Sequence, residues 1–441
     1  MSVVIFGLGR SGLAVAEALQ KLGISAIVFD ENPREKISKP ELIEEANLFG
    51  AQLILGESFP LTLKGENVEY VVANPAIDHR HPALQALTAE GTEVIGEVEF
   101  AFRISKAPII AITGTNGKST TVAMTTIAIN ATGKEAILCG NIFGSGLPEQ
   151  PLTTAALNST SDQVLVAEIS SFQLEWVKDF KPRAAAITSI ANDHLDRYDS
   201  IGQYVGTKLK IFRAMDENDL AVFPYGTAVK TKAKTQEFRY RFADFYYEDH
   251  ILHIFGKQLK SDEFKVLGDH NMMNIGIAAT LAQSVCGVGS EDKILEALKN
   301  FEGLSHRMEF ISKKRGITFI NNSMCTNPAA VKASLQSIPV KVHVLIGGVN
   351  KDLSFSELQD FFSKHQINIQ LFGKDAEQIN QELGGNYQVW CTMKEAFDAA
   401  TNGAKEGEIV MLAPGCASTD QFRDFRHRGD VFRTYVTDWT G

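Results

Sequence analysis

The sequence predicts an α/β protein of three domains: a Rossmann-like N-terminal domain, a central P-loop-type ATPase domain and a Rossmann-like C-terminal domain. Three observations carry this. The 441 residues suffice for two to four domains. Two glycine-rich turns, at residues 7–12 and 114–117, each stand between a short apolar run and a helical pattern. From about residue 303 to the end, strand-like and helix-like patterns alternate again.

Composition narrows the function classes. A formal charge of −10 argues against bulk nucleic-acid binding. No window approaches a membrane span, and the chain runs directly into the strand VVIFG without a signal-peptide pattern, so no membrane partner is expected. Cys139, Cys286, Cys325, Cys391 and Cys416 are scattered, odd in number and free of C-x-x-C pairs. That fits a reduced cytoplasm and argues against structural zinc.

The first domain is expected over residues 1–95. Residues 3–6 read as a strand, 7–12 as a G-x-G-x-x-G turn and 13–22 as an amphipathic helix stopped by Gly23. A second strand, 26–29, ends at Asp30, an acid positioned for a ribose hydroxyl. A third, 70–73, ends in Asn74-Pro75-Ala76 at the edge where such sheets bind ligands. By itself this fingerprint says only that a nucleotide or diphosphate can lie on the helix N-terminus.

The second domain is expected over residues 96–302. Ile109, Ile110, Ala111 and Ile112 form a buried-strand run, Gly114, Thr115, Asn116 and Gly117 a tight turn, and Lys118, Ser119 and Thr120 open a helix to about residue 132. A strand, glycine turn, Lys-Ser/Thr and helix together hold a polyphosphate. Backbone N–H groups face the anion, Lys118 adds a point charge, and a hydroxyl of Ser119 or Thr120 can ligate Mg²⁺. The strand at 164–169 carries Glu168 at its end, well placed for Mg²⁺. The strand at 185–190 leads to His194, in a polar cluster at the same sheet edge, as metal ligand or polariser. Lys208 follows on a helix in Tyr204-x-x-x-Lys208. As an ammonium it would repel metals; as a carbamate formed with CO₂ it would be an anionic oxygen ligand. Residues 236–264 alternate aromatic and polar residues, which predicts strands and a hairpin. Asn271 or Asn274 caps the next helix or meets an adenine edge.

The third domain is expected over residues 303–441. Gly303, Ser305, His306 and Arg307 read as an interdomain hinge. Strands are expected at 317–320, 342–346 and 409–412, and a helix from Pro328. The stretch after the last strand, from Pro414 to Phe422, puts small residues and N–H donors where a carboxylate could dock. Arg423, Arg426, His427 and Arg428 are either a solvated face or a lure for an anionic substrate.

Together these motifs resemble the Mur ligase family. The resemblance rests on GTNGKST at 114–120, GNI at 140–142, EISSFQLE at 168–175, NDHLDRY at 192–198, YxxxK at 204–208 and HNMMN at 270–274. It continues with HR at 306–307, TNP at 326–328, GGxxK at 347–351 and CASTDQF at 416–422. The Rossmann-like first domain points to the branch that adds D-glutamate. The resemblance implies an ATP-dependent amide ligase that joins D-glutamate to UDP-N-acetylmuramoyl-L-alanine through an acyl phosphate, using two Mg²⁺ ions, in peptidoglycan precursor synthesis. It implies that Gly114, Thr115, Asn116, Gly117, Lys118, Ser119, Thr120, Asn274, Arg307 and Asn322 hold ATP. Ser119 and Glu168 would serve one metal, and His194 with carbamylated Lys208 the other. Asn141 would position the substrate carboxylate or phosphoryl group. Gly9, Arg10, Ser11, Asp30 and Asn74 would hold the UDP-sugar, and Thr326, Lys351, Ser418 and Phe422 would grip glutamate. The catalytic set is then Lys118, Asn141, Glu168, His194 and Lys208, acting in a monomer whose third domain closes onto the second.

Two departures stand out. The family usually has Asp-Ser-Lys where this chain reads Asn322-Ser323-Met324, and Val349 replaces the Asp that often follows the double glycine. They keep alternatives open: the same chemistry with L-glutamate or another acceptor, or a non-catalytic nucleotide-binding regulator. An NAD-dependent oxidoreductase built on the first turn would leave the phosphate loop and third domain unexplained.

Overall fold

The structure, a computed structural model, describes residues 2–37, 39–64, 67–143, 147–191, 197–239, 241, 243–266, 268–336, 338, 340–350 and 353–441. These divide into two compact units, one within 1–143, 147–264 and 270–300, the other within 265–269 and 301–441.

The first unit begins with β1 (Ser2–Phe6), α1 (Arg10–Lys21), β2 (Ser25–Asp30), α2 (Glu41–Leu48), β3 (Gln52–Leu55), β4 (Val68–Ala73), α3 (Pro82–Ala89) and β5 (Val94–Gly96). The strands form a parallel sheet in the order β3-β2-β1-β4-β5. The loops after β1 and β4 therefore leave neighbouring strands at one edge, the crevice where doubly wound sheets bind ligands. The helix expected from residue 13 starts at Arg10, so the last residues of the glycine turn are its first turn. β3 and β5 escape the sequence reading because runs of four and three residues carry no period.

The chain continues through α4 (Glu97–Ile104), β6 (Ile109–Thr113), α5 (Lys118–Ala131), β7 (Ala136–Gly140), α6 (Leu152–Asn158), β8 (Val164–Glu168), β9 (Ala184–Ile187), α7 (Ile201–Leu209), β10 (Leu220–Pro224) and β11 (Lys234–Phe238). These strands form a second parallel sheet, β11-β10-β9-β6-β8-β7. Its central strands β6, β8 and β9 are buried at every position, which is why they read as continuous apolar runs. The aromatic stretch forms an antiparallel sheet of β12 (Tyr246–Glu248), β13 (Ile251–Ile254) and β14 (Lys257–Lys260), as expected. The unit ends in α8 (Asp269–Cys286) and α9 (Glu291–Lys299).

The second unit contains β15 (Glu309–Lys314), β16 (Ile317–Asn321), α10 (Pro328–Gln336), β17 (Val342–Gly347), α11 (Glu357–Lys364), β18 (Ile367–Phe372), α12 (Ala376–Glu382), β19 (Gln388–Trp390), α13 (Met393–Gly403), β20 (Ile409–Gly415) and α14 (Phe425–Asp438). The sheet order is β15-β16-β20-β17-β18-β19, parallel except for β15. β20 runs three residues beyond the expected end and includes Pro414. The pairing of β17 with β20 shifts register there, between Leu345 and Gly347, and such an irregularity accommodates a residue without an N–H. The stretch read as a hinge opens this unit: Leu304 and Arg307 form a β-bridge, and His306 is buried. Among the described residues no helix is long and apolar enough to cross a membrane.

Candidate functional site

β9, β6 and β8 lie side by side, and their C-terminal ends build the phosphate loop and its surroundings. Gly114 leaves β6 with φ +147°, and a Cβ there would stand 2.0 Å from Thr188 Oγ1, so glycine is required. Thr188 and Ser189, at the exit of β9, hold the loop from behind. Thr115 N donates to Ser189 O at 2.9 Å, Asn116 N to Ser189 Oγ at 2.8 Å, and Thr188 Oγ1 to Asn116 O at 2.5 Å. Tyr204 OH lies 3.1 Å from Thr115 Oγ1. The sequence reading passed over Thr188 and Ser189; a Thr-Ser pair ending the strand beside a phosphate loop was the available signal. α5 then starts at Lys118, with its first N–H groups at the loop. Asn274 of α8 is buried over the loop, its Oδ1 2.6 Å from where a Cβ of Gly117 would be.

Cations converge here. Lys118 Nζ donates to Gly114 O and Thr115 O, both at 3.0 Å. Lys208 is 1 % exposed, and its Nζ donates to the same Gly114 O at 3.0 Å and sits 4.5 Å from the centre of the Tyr204 ring. Facing them, Glu168 at the end of β8 is buried and accepts from Ser119 Oγ at 2.5 Å and from Asn141 Nδ2 at 3.4 Å. Gly140 lets the two strand ends approach. Its φ is +93°, a Cβ would stand 2.3 Å from Glu168 O, and Asn141 N donates to that oxygen at 2.8 Å.

A cavity of about 500 Å³ joins this loop to the first sheet. Gly9, Arg10, Ser11 and Asn74 line it from one side, and Gly114, Lys118, Asn141 and Lys208 from the other. Asp30 is not among the lining residues. Its Oδ2 accepts Leu8 N at 2.8 Å and its Oδ1 accepts Asn32 N at 2.9 Å, so it fastens the glycine turn. Beneath the floor, Glu97 is buried and accepts from Thr153 N and Oγ1 at 2.8 Å and from Gln173 Nε2 at 3.4 Å. Burial pushes its carboxyl above the usual range, while the hydrogen bonds from Thr153 and Gln173 pull it back. Gln173 Oε1 in turn accepts from Ser170 N at 3.0 Å, on the cavity wall. Neither Glu97 nor this relay was legible in sequence, because Glu97 lies 76 residues from Gln173.

In the second unit, the ends of β16, β20 and β17 are adjacent, and backbone bonds tie their loops together. Gly415 N donates to Cys325 O at 2.9 Å, next to Thr326. Val349 and Ala417 exchange hydrogen bonds of 2.9 Å in both directions, one residue before Ser418. That pairing is main-chain, so it does not need the family's Asp in place of Val349. Ser418 is buried, and its carbonyl accepts Phe422 N at 2.9 Å. Asn322 is buried and its Oδ1 accepts Met308 N at 3.1 Å. Arg307 Nη2 lies 2.9 Å from Met324 Sδ; a lysine at that position would set two cations against each other. His194 and Lys351 lie outside the described residues.

For divalent metal, the adjoining Ser119 hydroxyl and Glu168 carboxylate are hard oxygen donors that suit Mg²⁺. Among the described residues no group of three or more His, Cys, Asp and Glu side chains converges as a metal site. Lys208 as an ammonium is a donor and no ligand.

Residues 1–96 match the Mur ligase MurD-like N-terminal domain, 112–282 the Mur ligase middle domain and 306–416 the Mur ligase glutamate ligase domain. The chain is 34 % identical over 452 residues to the UDP-N-acetylmuramoylalanine–D-glutamate ligase of Caldanaerobacter subterraneus subsp. tengcongensis, covering 99 % of this chain and 98 % of that one. It is 33 % identical over 450 residues to the ligase of the same name from Streptococcus agalactiae, covering 98 % and 95 %. Two solved structures share the fold. The MurC UDP-N-acetylmuramate–alanine ligase of Thermotoga maritima superposes with a TM-score of 0.59 at 18 % identity, covering 99 % of both chains. The MurF ligase of Thermotoga maritima in complex with ADP superposes with a TM-score of 0.60 at 14 % identity, covering 94 % of this chain and 95 % of that one.

Proposed function

The chain belongs to the Mur ligase family, and from that premise we propose that it is the ATP-dependent ligase that joins D-glutamate to UDP-N-acetylmuramoyl-L-alanine in cytoplasmic peptidoglycan precursor synthesis. The observation that carries this reading is the single cavity lined by both the first-sheet loops and the phosphate loop. A nucleotide-linked carboxylate held by Gly9, Arg10, Ser11 and Asn74 would there face a γ-phosphoryl group held on residues 114–120. The 34 % identity over nearly the full chain to a ligase of that name supports the choice of substrates.

The reaction asks an anionic carboxylate to attack an anionic phosphoryl group, so charge neutralisation and alignment dominate. Lys118 would move from its loop carbonyls to the phosphate oxygens. The N–H groups opening α5 would bear on the same anion, and the Thr188–Ser189 brace means the loop need not reorganise. Asn141, fixed against Glu168, would orient the attacking carboxylate. Asn274, Arg307 and Asn322 would contact the nucleotide. Bound Mg²⁺, two ions in the family pattern, would neutralise phosphate charge as a Lewis acid. Ser119 and Glu168 would hold one, and His194 with Lys208 as its carbamate the other. The proximity of Lys118 and Lys208 to one carbonyl favours a neutralising modification of the buried lysine. Thr326, Lys351, Ser418 and Phe422 would hold glutamate while its amine attacks the acyl phosphate and expels phosphate. In this reading residues 1–95 take the UDP-substrate, 96–302 ATP and 303–441 glutamate.

The test is phosphate release from ATP in the presence of UDP-N-acetylmuramoyl-L-alanine, with D-glutamate and L-glutamate in separate reactions. Release dependent on D-glutamate is expected. Release only with L-glutamate would keep the chemistry and change the substrate. No release with either would overturn the reading.

A further inference from the structure

Arg428, in α14, is neither a solvated charge nor a surface lure: it is 0 % exposed. Its guanidinium makes three hydrogen bonds, from Nε to Ser323 Oγ at 3.0 Å, from Nη2 to Ser323 O at 2.9 Å and from Nη1 to Cys416 O at 3.1 Å. All three acceptors are neutral. Neither neighbour of Ser323, Asn322 or Met324, carries a charge; the Asp420 carboxylate attracts the guanidinium electrostatically without a hydrogen bond to it, its Oδ2 accepting from Lys374 N at 3.0 Å and its Oδ1 buried. Burial lowers the Arg428 pKa to about 10, which leaves it charged at neutral pH. A buried cation hydrogen-bonded only to neutral acceptors is costly; Asp420 offsets part of that cost, and a further anion at the neighbouring loops would offset more.

The placement identifies that anion. Ser323 lies in the loop after β16 that carries Thr326, and Cys416 in the loop after β20 that carries Ser418. Ser323 Oγ also donates to Phe425 O at 2.7 Å, so the arginine, both loops and the start of α14 form one network. We infer that Arg428 is a positioning residue for the amino-acid substrate: it locks the Ser323 and Cys416 loops together and places a fixed positive charge behind the Thr326 and Ser418 donors, where a substrate carboxylate docks. It acts through those loops, with no contact to the substrate. The inference rests on the reading of this sheet edge as the glutamate site.

Arg428→Lys keeps the charge and loses the three-pronged geometry; Arg428→Gln keeps hydrogen-bonding capacity and loses the charge. Both are assayed in the full chain by phosphate release at saturating ATP and UDP-N-acetylmuramoyl-L-alanine, with D-glutamate varied. The expected result is a glutamate KM raised roughly tenfold or more in Arg428→Gln and less than about threefold in Arg428→Lys, with the KM for ATP moved less than about twofold in either. Equal glutamate KM values in the two variants, or an ATP KM that rises in step, would overturn the inference and leave Arg428 a structural residue. If Arg428→Gln does not fold, Ser323→Ala carries the test. It removes one guanidinium acceptor, and a glutamate KM unchanged within about twofold would overturn the inference. A wild-type chain whose phosphate release ignores glutamate would instead overturn the functional reading beneath it.

Discussion

Removing the guanidinium of Arg197 should unfasten the first-sheet loop that lines the cavity. Arg197 and Glu175 are 8 % and 9 % exposed. Arg197 binds the carboxylate two-pronged, Nε to Oε1 at 3.0 Å and Nη2 to Oε2 at 2.5 Å. The same guanidinium donates to Ala76 O at 3.4 Å and Ile77 O at 2.8 Å and lies 4.3 Å from the centre of the Phe172 ring. It thereby holds the loop after β4 against the second sheet. Arg197→Met leaves a buried carboxylate with His79 Nδ1 at 3.3 Å and Lys210 acting on it electrostatically, plus two carbonyls without this donor. Breaking a buried pair from one side costs about 3–5 kcal/mol, and His79 can offset part of it, so about 3 kcal/mol is expected. Glu175→Gln should cost about 2 kcal/mol, since Arg197 keeps its two backbone acceptors. The double variant should cost at least about 1.5 kcal/mol less than the two added, because neither charge is then orphaned. Urea unfolding followed by Trp176 fluorescence reads the first unit once Trp390 and Trp439, both in the second, are replaced by Phe. Because Ala76 lines the cavity, the KM for the UDP-substrate should rise alongside. A double variant additive to within about 0.5 kcal/mol would refute the reasoning.

Lys118→Ala should lower phosphate release by at least about a hundredfold, while the urea midpoint moves by far less than such a loss implies, since the Nζ bonds to Gly114 O and Thr115 O tie it to carbonyls of its own loop. Gly140→Ala should destabilise by about 2–3 kcal/mol in urea, because a side chain would have to adopt a positive φ and its Cβ would press on Glu168 O. Hydrogen bonds from Arg103 and then Lys178 hold the Glu93 carboxyl down at about 2. A depressed carboxyl stabilises the fold above its ordinary value of 4.5 and loses that contribution as pH falls through about 2. Melting temperatures across that window should therefore fall less steeply for Glu93→Gln than for the wild type.

The two glycine turns, α5, Glu168 at a strand end and the loop after β20 were all readable as contiguous patterns, since strand, turn and helix N-terminus are set within a dozen residues. The motif order likewise carried the family. What was missed depends on distance or surroundings. Asp30 was legible as an acid at a strand end, but not that its oxygens accept from Leu8 N and Asn32 N. Arg428 sat in a basic run that reads as surface, yet α14 turns it into the core.

Thus local chemistry alone determined where a strand, glycine turn and helix start bring backbone N–H groups, a lysine and a hydroxyl together, because that pattern needs only adjacency in the chain. The tertiary structure alone decided that Arg10 and Asn74 share a cavity with Lys118 and Lys208, that Thr188 and Ser189 brace the phosphate loop, and that Arg428 is a buried charge. Those facts join residues far apart in sequence, and burial, which sets the strength of a charge or hydrogen bond, is a property of the packed whole.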